Sequence, residues 1–247
     1  MSCADAPPIG LRAASYNIHR AVGSDGRRDI GRTIAAVEEL DADVVGLQEV
    51  DWRSRPAEAV APPEALEGLP GYVAVKGPNL EDHRGHYGNL LLVRGEVETV
   101  RRIELAQRGR EPRGAIDADL RLRGGWLRVL VTHLGLGILE RRRQAWRLAQ
   151  TLADGPQGPT LILGDFNDWI PWTPTLRPLL SLCARGSAPP SFPSWWPVLA
   201  LDRVLTRGMP LPETVRAHDG PLARHASDHL PVVAEFGAAT VSPAVSD

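Results

Sequence analysis

Thr160-Leu161-Ile162-Leu163-Gly164-Asp165-Phe166-Asn167 is the stretch on which the fold turns. Its apolar, β-prone run, Thr160–Asp165, has the length of a buried strand and stops at a carboxylate followed by an amide. Alone, Asp165-Phe166-Asn167 reads equally well as an Asx-type turn or a helix cap. The same design, a polar or acidic residue at the end of an apolar strand, recurs on both sides. Ser15-Tyr16-Asn17-Ile18-His19 closes a predicted strand at Leu11–Ile18, Gln48-Glu49-Val50 closes Asp43–Glu49, and Thr132-His133-Leu134 closes Trp126–Leu134. Downstream, Leu201-Asp202-Arg203 heads the run Leu201–Thr206, and Ser227-Asp228-His229-Leu230-Pro231 precedes Leu230–Phe236. Strand ends gather at one rim of a sheet, where ligands bind in layered folds.

Further strands are predicted near Tyr72–Lys76, Asn89–Arg94 and Ala115–Leu122. A helix is predicted over Asp29–Leu40, with Ile30, Ile34, Val37 and Leu40 on one face and Asp29 as its N-cap. A second is predicted over Leu139–Ala153, with Trp146, Ala149 and Leu152 inward and Arg141, Arg142, Arg143 and Arg147 mostly on the wet side. Arg53–Gly71 reads as a loop with room for a short helix, and proline-rich Pro171–Pro197 as an irregular, partly packed excursion. Many strands with few helices point to sheets covered by helices. Residues 1–10 read as a flexible N-terminus, 11–236 as one domain and 237–247 as a disordered tail.

A chain of 247 residues, 43% hydrophobic and 23% charged, suits one large soluble core. A formal net charge of −2 gives no global attraction to nucleic acid or an anionic membrane, yet leaves room for a local phosphate-binding cleft. Lys76 is the only lysine. Arginine suits bidentate phosphate contact, although genome base composition explains so lopsided a ratio more simply. Cys3 and Cys183 make neither a disulfide framework nor a metal-binding spacing. With no secretory h-region and no membrane-length apolar run, a cytoplasmic monomer is the expectation.

The residues at the strand ends suit one chemistry. Glu49, Asp165 and Asp228 offer hard oxygens for Mg²⁺ or Mn²⁺. Asn17 and Asn167 can orient metal or phosphate without repelling an anion. His133 and His229 can exchange protons near neutral pH, and Asp202 can hold His229 in one tautomer. Each has a plainer reading alone: Glu49 as a solvated strand end, His133 as a satisfied core histidine, Asp228-His229 as a strand-entry turn. As a set they require too many independent accidents.

In this order, the blocks Tyr16-Asn17, Gln48-Glu49-Val50, Tyr87-Gly88-Asn89, Thr132-His133-Leu134, Gly164-Asp165-Phe166-Asn167, Leu201-Asp202-Arg203 and Ser227-Asp228-His229-Leu230-Pro231 resemble the endonuclease/exonuclease/phosphatase superfamily. That superfamily includes deoxyribonuclease I, abasic-site endonucleases, inositol-polyphosphate phosphatases and neutral sphingomyelinases. The resemblance spans about residues 11–236, and Gly-Asp-Phe-Asn and Ser-Asp-His are its most specific blocks. It implies an α/β fold, a four-layer sandwich of two facing mixed sheets flanked by helices, and metal-dependent hydrolysis of a phosphoester. It implies Glu49 as principal Mg²⁺ (or Mn²⁺) ligand with Asn17 beside it, and Asp228 completing the metal or water network. It implies Asp165 and Asn167 as the pair positioning water and phosphate, and His229 as the catalytic histidine oriented by Asp202. His133 matches a position where deoxyribonucleases and phosphatases keep histidine. Deoxyribonuclease I supports that histidine with a glutamate; here Asn89 is the candidate partner, with a packed strand residue as the alternative. Arg110-Glu111-Pro112-Arg113 resembles a phosphate-contacting arginine loop, with exposed loop arginines as the alternative.

The abasic-site block Trp-Arg-Leu-Asp-Tyr is replaced by Leu201-Asp202-Arg203-Val204-Leu205, and basic motifs of inositol-polyphosphate phosphatases are missing. A nuclease or general phosphodiesterase is therefore the first expectation, with nucleic acid as a candidate partner. The second is a lipid phosphodiesterase, because Trp195 and Trp196 could enter a membrane interface, or a small-molecule phosphatase of the same superfamily; packing of the two tryptophans into the core is the favoured reading. A non-catalytic binding module is the alternative of another class, and the intact acidic and histidine residues argue against it.

Overall fold

The computed structural model describes residues 7–53, 63–170, 173–184 and 186–237. The expected tail beyond Gly237, most of the expected flexible N-terminus and part of the Arg53–Gly71 loop lie outside these. One mixed sheet holds β1 (Arg12–Asn17), β2 (Val44–Asp51), β3 (Val73–Asp82), β4 (Gly85–Val93), β10 (Thr214–Ala217) and β11 (Val232–Glu235). Their order is β10-β11-β1-β2-β4-β3, with β1 and β2 parallel. The other holds β5 (Glu96–Glu104), β6 (Gly114–Leu122), β7 (Gly125–His133), β8 (Thr160–Asp165) and β9 (Asp202–Arg207), in chain order, with β7 and β8 parallel.

Each parallel pair is joined by a helical crossover, which parallel pairing demands. Helix α1 (Ile30–Glu39) crosses from β1 to β2, and its N-cap Asp29 accepts the Arg32 N–H at 3.0 Å, as the sequence predicts. With α2 (Glu64–Glu67) and α5 (Pro221–Ala226) it covers the outside of the first sheet. Helix α3 (Ile138–Asp154) crosses from β7 to β8 and, with α4 (Arg177–Leu180), covers the second. The result is the expected four-layer α/β sandwich.

Central strands are buried on both faces, so they read as continuous apolar runs. In β8, Leu161 and Leu163 enter the core between the sheets while Ile162 packs under α3. Gly46 in β2 permits close approach there: a Cβ would lie 3.0 Å from a Val131 methyl and 3.1 Å from Leu163 Cβ.

Three differences from the sequence reading stand out. Strand β5 carries charges on both faces and lies exposed at a sheet edge, where such charges blunt edge pairing rather than disrupt a strand. Strands β3 and β4 run further than expected, as a ribbon through Gly, Pro and polar residues that lack alternation. In α3, Trp146 is 56% exposed instead of inward, and Arg141 is buried instead of wet. The packed face runs through Arg141, Gln144, Ala145, Leu148 and Leu152, because Arg141 turns back to donate to the Leu136 carbonyl at the helix entrance.

Candidate active site

The C-terminal ends of β1, β2, β7 and β8 share one rim, where a cleft of about 630 Å³ opens. Asn17, Glu49, Arg113, His133, Asp165, Asn167, Asp228 and His229 line it. Asp165 lies at the centre. Its Oδ2 accepts from Asn17 Nδ2 at 3.0 Å and lies 3.4 Å from His133 Nε2 and 3.8 Å from His229 Nε2. Its Oδ1 accepts the Asn167 N–H at 2.8 Å, so the Asx turn exists and the same carboxylate also faces the cleft.

Backbone strain collects here. Glu49 has φ 58° inside β2, where the pairing with β4 shifts register between Leu47 and Val50, and Asn167 has φ 50°. His19, Arg20 and Ala21 form a left-handed turn with φ of 46°, 57° and 60°. Left-handed conformations cost non-glycine residues roughly 1–2 kcal/mol each and persist where surrounding contacts over-determine them. Asn17 Oδ1 supplies one such contact by accepting the His19 N–H at 3.0 Å.

Two histidines occupy opposite electrostatic settings. His229 Nδ1 donates to Asp202 Oδ2 at 2.8 Å, and Ser191 Oγ donates to the same oxygen at 2.6 Å. The His229 ring also packs on Phe192, with centroids 4.9 Å apart. Burial alone would lower the His229 pKa, but the carboxylates of Asp202, Asp165 and Asp228 outweigh it and raise the value to about 10. His133 is instead driven down to about 3 by burial, against the pull of Asp165 and with Arg113 adding to the fall. Arg113 Nη1 donates toward His133 Nδ1 at 3.2 Å, and His133 Nε2 lies 3.0 Å from Asn167 Nδ2 and 3.4 Å from Asp165 Oδ2. One imidazole is thus kept charged and the other neutral within a few ångströms.

The partner beside His133 is Arg113, not Asn89. Asn89 is buried, donates to the Gly114 carbonyl at 3.1 Å across the two sheets, and does not line the cleft. Arg110 is exposed and also stays outside the lining. Asp202 lies behind His229, fully buried. The tryptophans expected in the core are not there: Trp195 and Trp196 are 68% and 67% exposed. Their loop is held by its backbone, through Ser194 N–H to the Asp228 carbonyl and Leu199 N–H to Phe192, so the rings point outward from an anchored base.

Sequence reasoning missed several cleft residues. Arg20 approaches Glu49 at 4.0 Å, Arg53 is clamped on Asp51 and lies over the Tyr87 ring, and Arg141 approaches Asp168 at 3.6 Å. Arg20 directly follows the Ser15–His19 block, and Asp168 follows Asn167, so adjacency to the motifs was the available signal.

Asp165, Asp202 and His229 place ligand atoms within 4.8 Å of one another. His229 is hydrogen-bonded to Asp202 Oδ2, which Ser191 also fills, and faces Asp165 Oδ2 at 3.8 Å, while Asp202 Oδ1 is buried with no partner among the described residues. Glu49 and Asp228, with carboxylate oxygens open to the cleft, are the donors whose chemistry fits a hard divalent cation. Asn17 presents its amide nitrogen to both Glu49 and Asp165, bridging the two carboxylates.

The profile of the Endonuclease/Exonuclease/phosphatase family matches residues 14–229. The chain belongs to this family. It is 30% identical over 249 residues to the uncharacterized protein YbhP of Escherichia coli (strain K12), covering 92% of this chain and 96% of that one. The fold is similar to that of the mannosyl-6-phosphatase Bt3783 of Bacteroides thetaiotaomicron VPI-5482, with TM-score 0.68, 17% identity and coverage of 90% and 98%. It is also similar to D. rerio TDP2 complexed with single-strand DNA product, with TM-score 0.67, 17% identity and coverage of 91% and 98%.

Proposed function

We propose that this protein is a divalent-metal-dependent phosphoester hydrolase acting on phosphodiesters, with nucleic acid or a nucleotide as the first choice of substrate. What supports it most is the convergence on Asp165 of Asn17, His133, Asn167 and His229, from strand ends of both sheets. Uncatalysed phosphoester hydrolysis is so slow that a site must lower its barrier by about 20 kcal/mol, whereas one general base supplies about 10²–10⁴-fold. A cluster of charges and donors is therefore required.

Glu49 and Asp228 would hold Mg²⁺ or Mn²⁺, which supplies Lewis-acid polarisation of the phosphoryl oxygen when bound, while Asn17 donates to Glu49 and Asp165 and fixes both carboxylates. Asp165 Oδ2 orients the attacking water, and His229 Nε2, 3.8 Å from that oxygen, faces the phosphate under attack. Asp165 accepts the water's proton as its oxygen bonds to phosphorus, and His229, fixed by Asp202, gives its Nε2 proton to the ester oxygen whose bond to phosphorus breaks. Neutral His133 and Asn167 hold a second phosphate oxygen, and Arg113, Arg20 and Arg53 add fixed positive charge around the transition state. Hydrolysis of bis-(p-nitrophenyl) phosphate tests the reading. Mg²⁺ or Mn²⁺ should support turnover and EDTA abolish it; turnover indifferent to EDTA, or none with any divalent metal, removes the assignment.

A second reading, a phosphodiesterase working at a lipid surface, is favoured by the exposure of Trp195 and Trp196, which follow in sequence the Phe192 ring packed on His229. Among the described residues no helix is long and apolar enough to cross a membrane, so contact would be interfacial. Co-sedimentation with phosphatidylglycerol vesicles that is lost in Trp195→Ala/Trp196→Ala supports it, and indifference of the wild type to vesicles ends it.

A further inference from the structure

A second pocket, of about 770 Å³, abuts the cleft and shares Trp169 with it. Arg177, Arg203, Thr173 and Ser181 supply its polar lining, Leu180 and Leu205 part of the apolar one, and no Asp or Glu among the described residues faces it. Its volume lies within the range of small-molecule sites.

Arg203 is short of partners for a half-buried guanidinium. Its Nη2 donates to the Asp168 carbonyl at 2.7 Å, while its Nε is buried with no acceptor among the described residues. The Asp168 carboxylate is engaged elsewhere, by Thr173 Oγ1 at 3.0 Å, the Ile170 N–H at 3.2 Å and Arg141 Nε at 3.6 Å. A desolvated cation with donors to spare, joined by exposed Arg177, calls for an anion. The indole of Trp169, 51% exposed between the two cavities, offers a face on which a planar group can stack.

We infer that this side pocket binds a second phosphate of the substrate, carried by the nucleotide unit next to the scissile bond, with that unit's base against Trp169. The inference rests on the phosphodiesterase reading and narrows it, from simple diesters to substrates bearing a further phosphorylated nucleoside. Arg203, Arg177 and Trp169 select that unit; they touch neither Asp165 nor His229 in the structure and are not catalytic residues.

Calorimetric titration with thymidine 3′,5′-bisphosphate, thymidine and glycerol 3-phosphate tests this without turnover. The bisphosphate should bind at least tenfold tighter than either of the others. Arg177→Met, on an exposed helix position, should weaken it at least tenfold, Trp169→Ala should weaken it as well, and Arg110→Met, outside both cavities, should leave it unchanged. Thermal unfolding of each variant checks that it remains folded. Equal affinity in wild type and Arg177→Met overturns the inference, as does tighter binding of glycerol 3-phosphate than of the bisphosphate. Failure to hydrolyse bis-(p-nitrophenyl) phosphate would instead overturn the phosphoesterase reading and leave the binding result standing.

Discussion

Glu49 illustrates what a single residue contributes. Its left-handed φ and the local register shift break the alternation of β2, turning toward the cleft a side chain that regular pairing would place elsewhere. Glu49→Gln keeps the shape and removes the charge. Its affinity for Mg²⁺ and Mn²⁺ should fall at least tenfold by calorimetry and its turnover about a hundredfold, with little change in the melting temperature of the metal-free protein. Asp202→Asn, behind His229, should lower turnover by a comparable factor with metal affinity retained. Unchanged metal affinity in Glu49→Gln would move the cation elsewhere. The identity of Glu49 was legible because an acid ends an apolar run; its backbone angle was not, since nothing in Gln48-Glu49-Val50 encodes a bulge. The choice of Arg113 over Asn89 was equally hidden, because it depends on how two sheets face each other.

At the scale of elements, α3 is tied down by a buried arginine. Arg128 in β7 donates from Nη2 to the Thr151 carbonyl and from Nη1 to the Pro156 carbonyl, both at 3.1 Å, where the helix ends without a basic residue in its last turn. Its Nε and Nη2 also pair with both oxygens of Asp117, which Arg101 pairs from the other side. Burial opposes the charge of Asp117, but the two guanidinium groups prevail and hold its pKa below the ordinary 3.8. Arg128→Met should cost about 3–5 kcal/mol in urea unfolding at pH 7, the usual result of removing one member of a buried pair. The stabilisation belongs to the charged carboxylate, so it is present above the unfolded-state pKa and lost as pH falls through the lower folded-state value. The gap between wild type and variant should therefore narrow in acid; a gap constant from pH 7 to pH 2 would contradict the pairing. Helix α3 was legible as a helix and its inward face was not, because periodicity treats Arg141 as a wet residue and takes no account of carbonyls it can reach. Strands β5 and β10 were invisible for a related reason: an edge strand need bury little, so it need not alternate.

The whole molecule depends on two sheets meeting at a fixed distance. Asn17 and Asp165 come from different sheets, as do Asn89 and Gly114, so the cleft exists only while the sheets are docked. Gly46→Val inserts atoms where only contact distance is available, against Val131 and Leu163. It should lower stability by about 1–3 kcal/mol and turnover with it, although position 46 is not in the cleft lining. Normal turnover in a destabilised variant would show that the rim tolerates separation of the layers. The sandwich was legible from strand-terminal motifs spread over most of the chain; the spacing between its layers was not.

Strand β11 pairs with β1 across nearly the entire sequence, from Ser15↔Val232 to Arg12↔Glu235. A ribosome therefore releases β1 long before the strand that covers its edge. Throughout that interval the nascent polypeptide carries an uncovered row of peptide groups, the kind of edge that recruits wrong neighbours or a chaperone. His229 emerges three residues before Val232, so chemical competence and edge closure arrive together, and premature termination upstream of them yields neither.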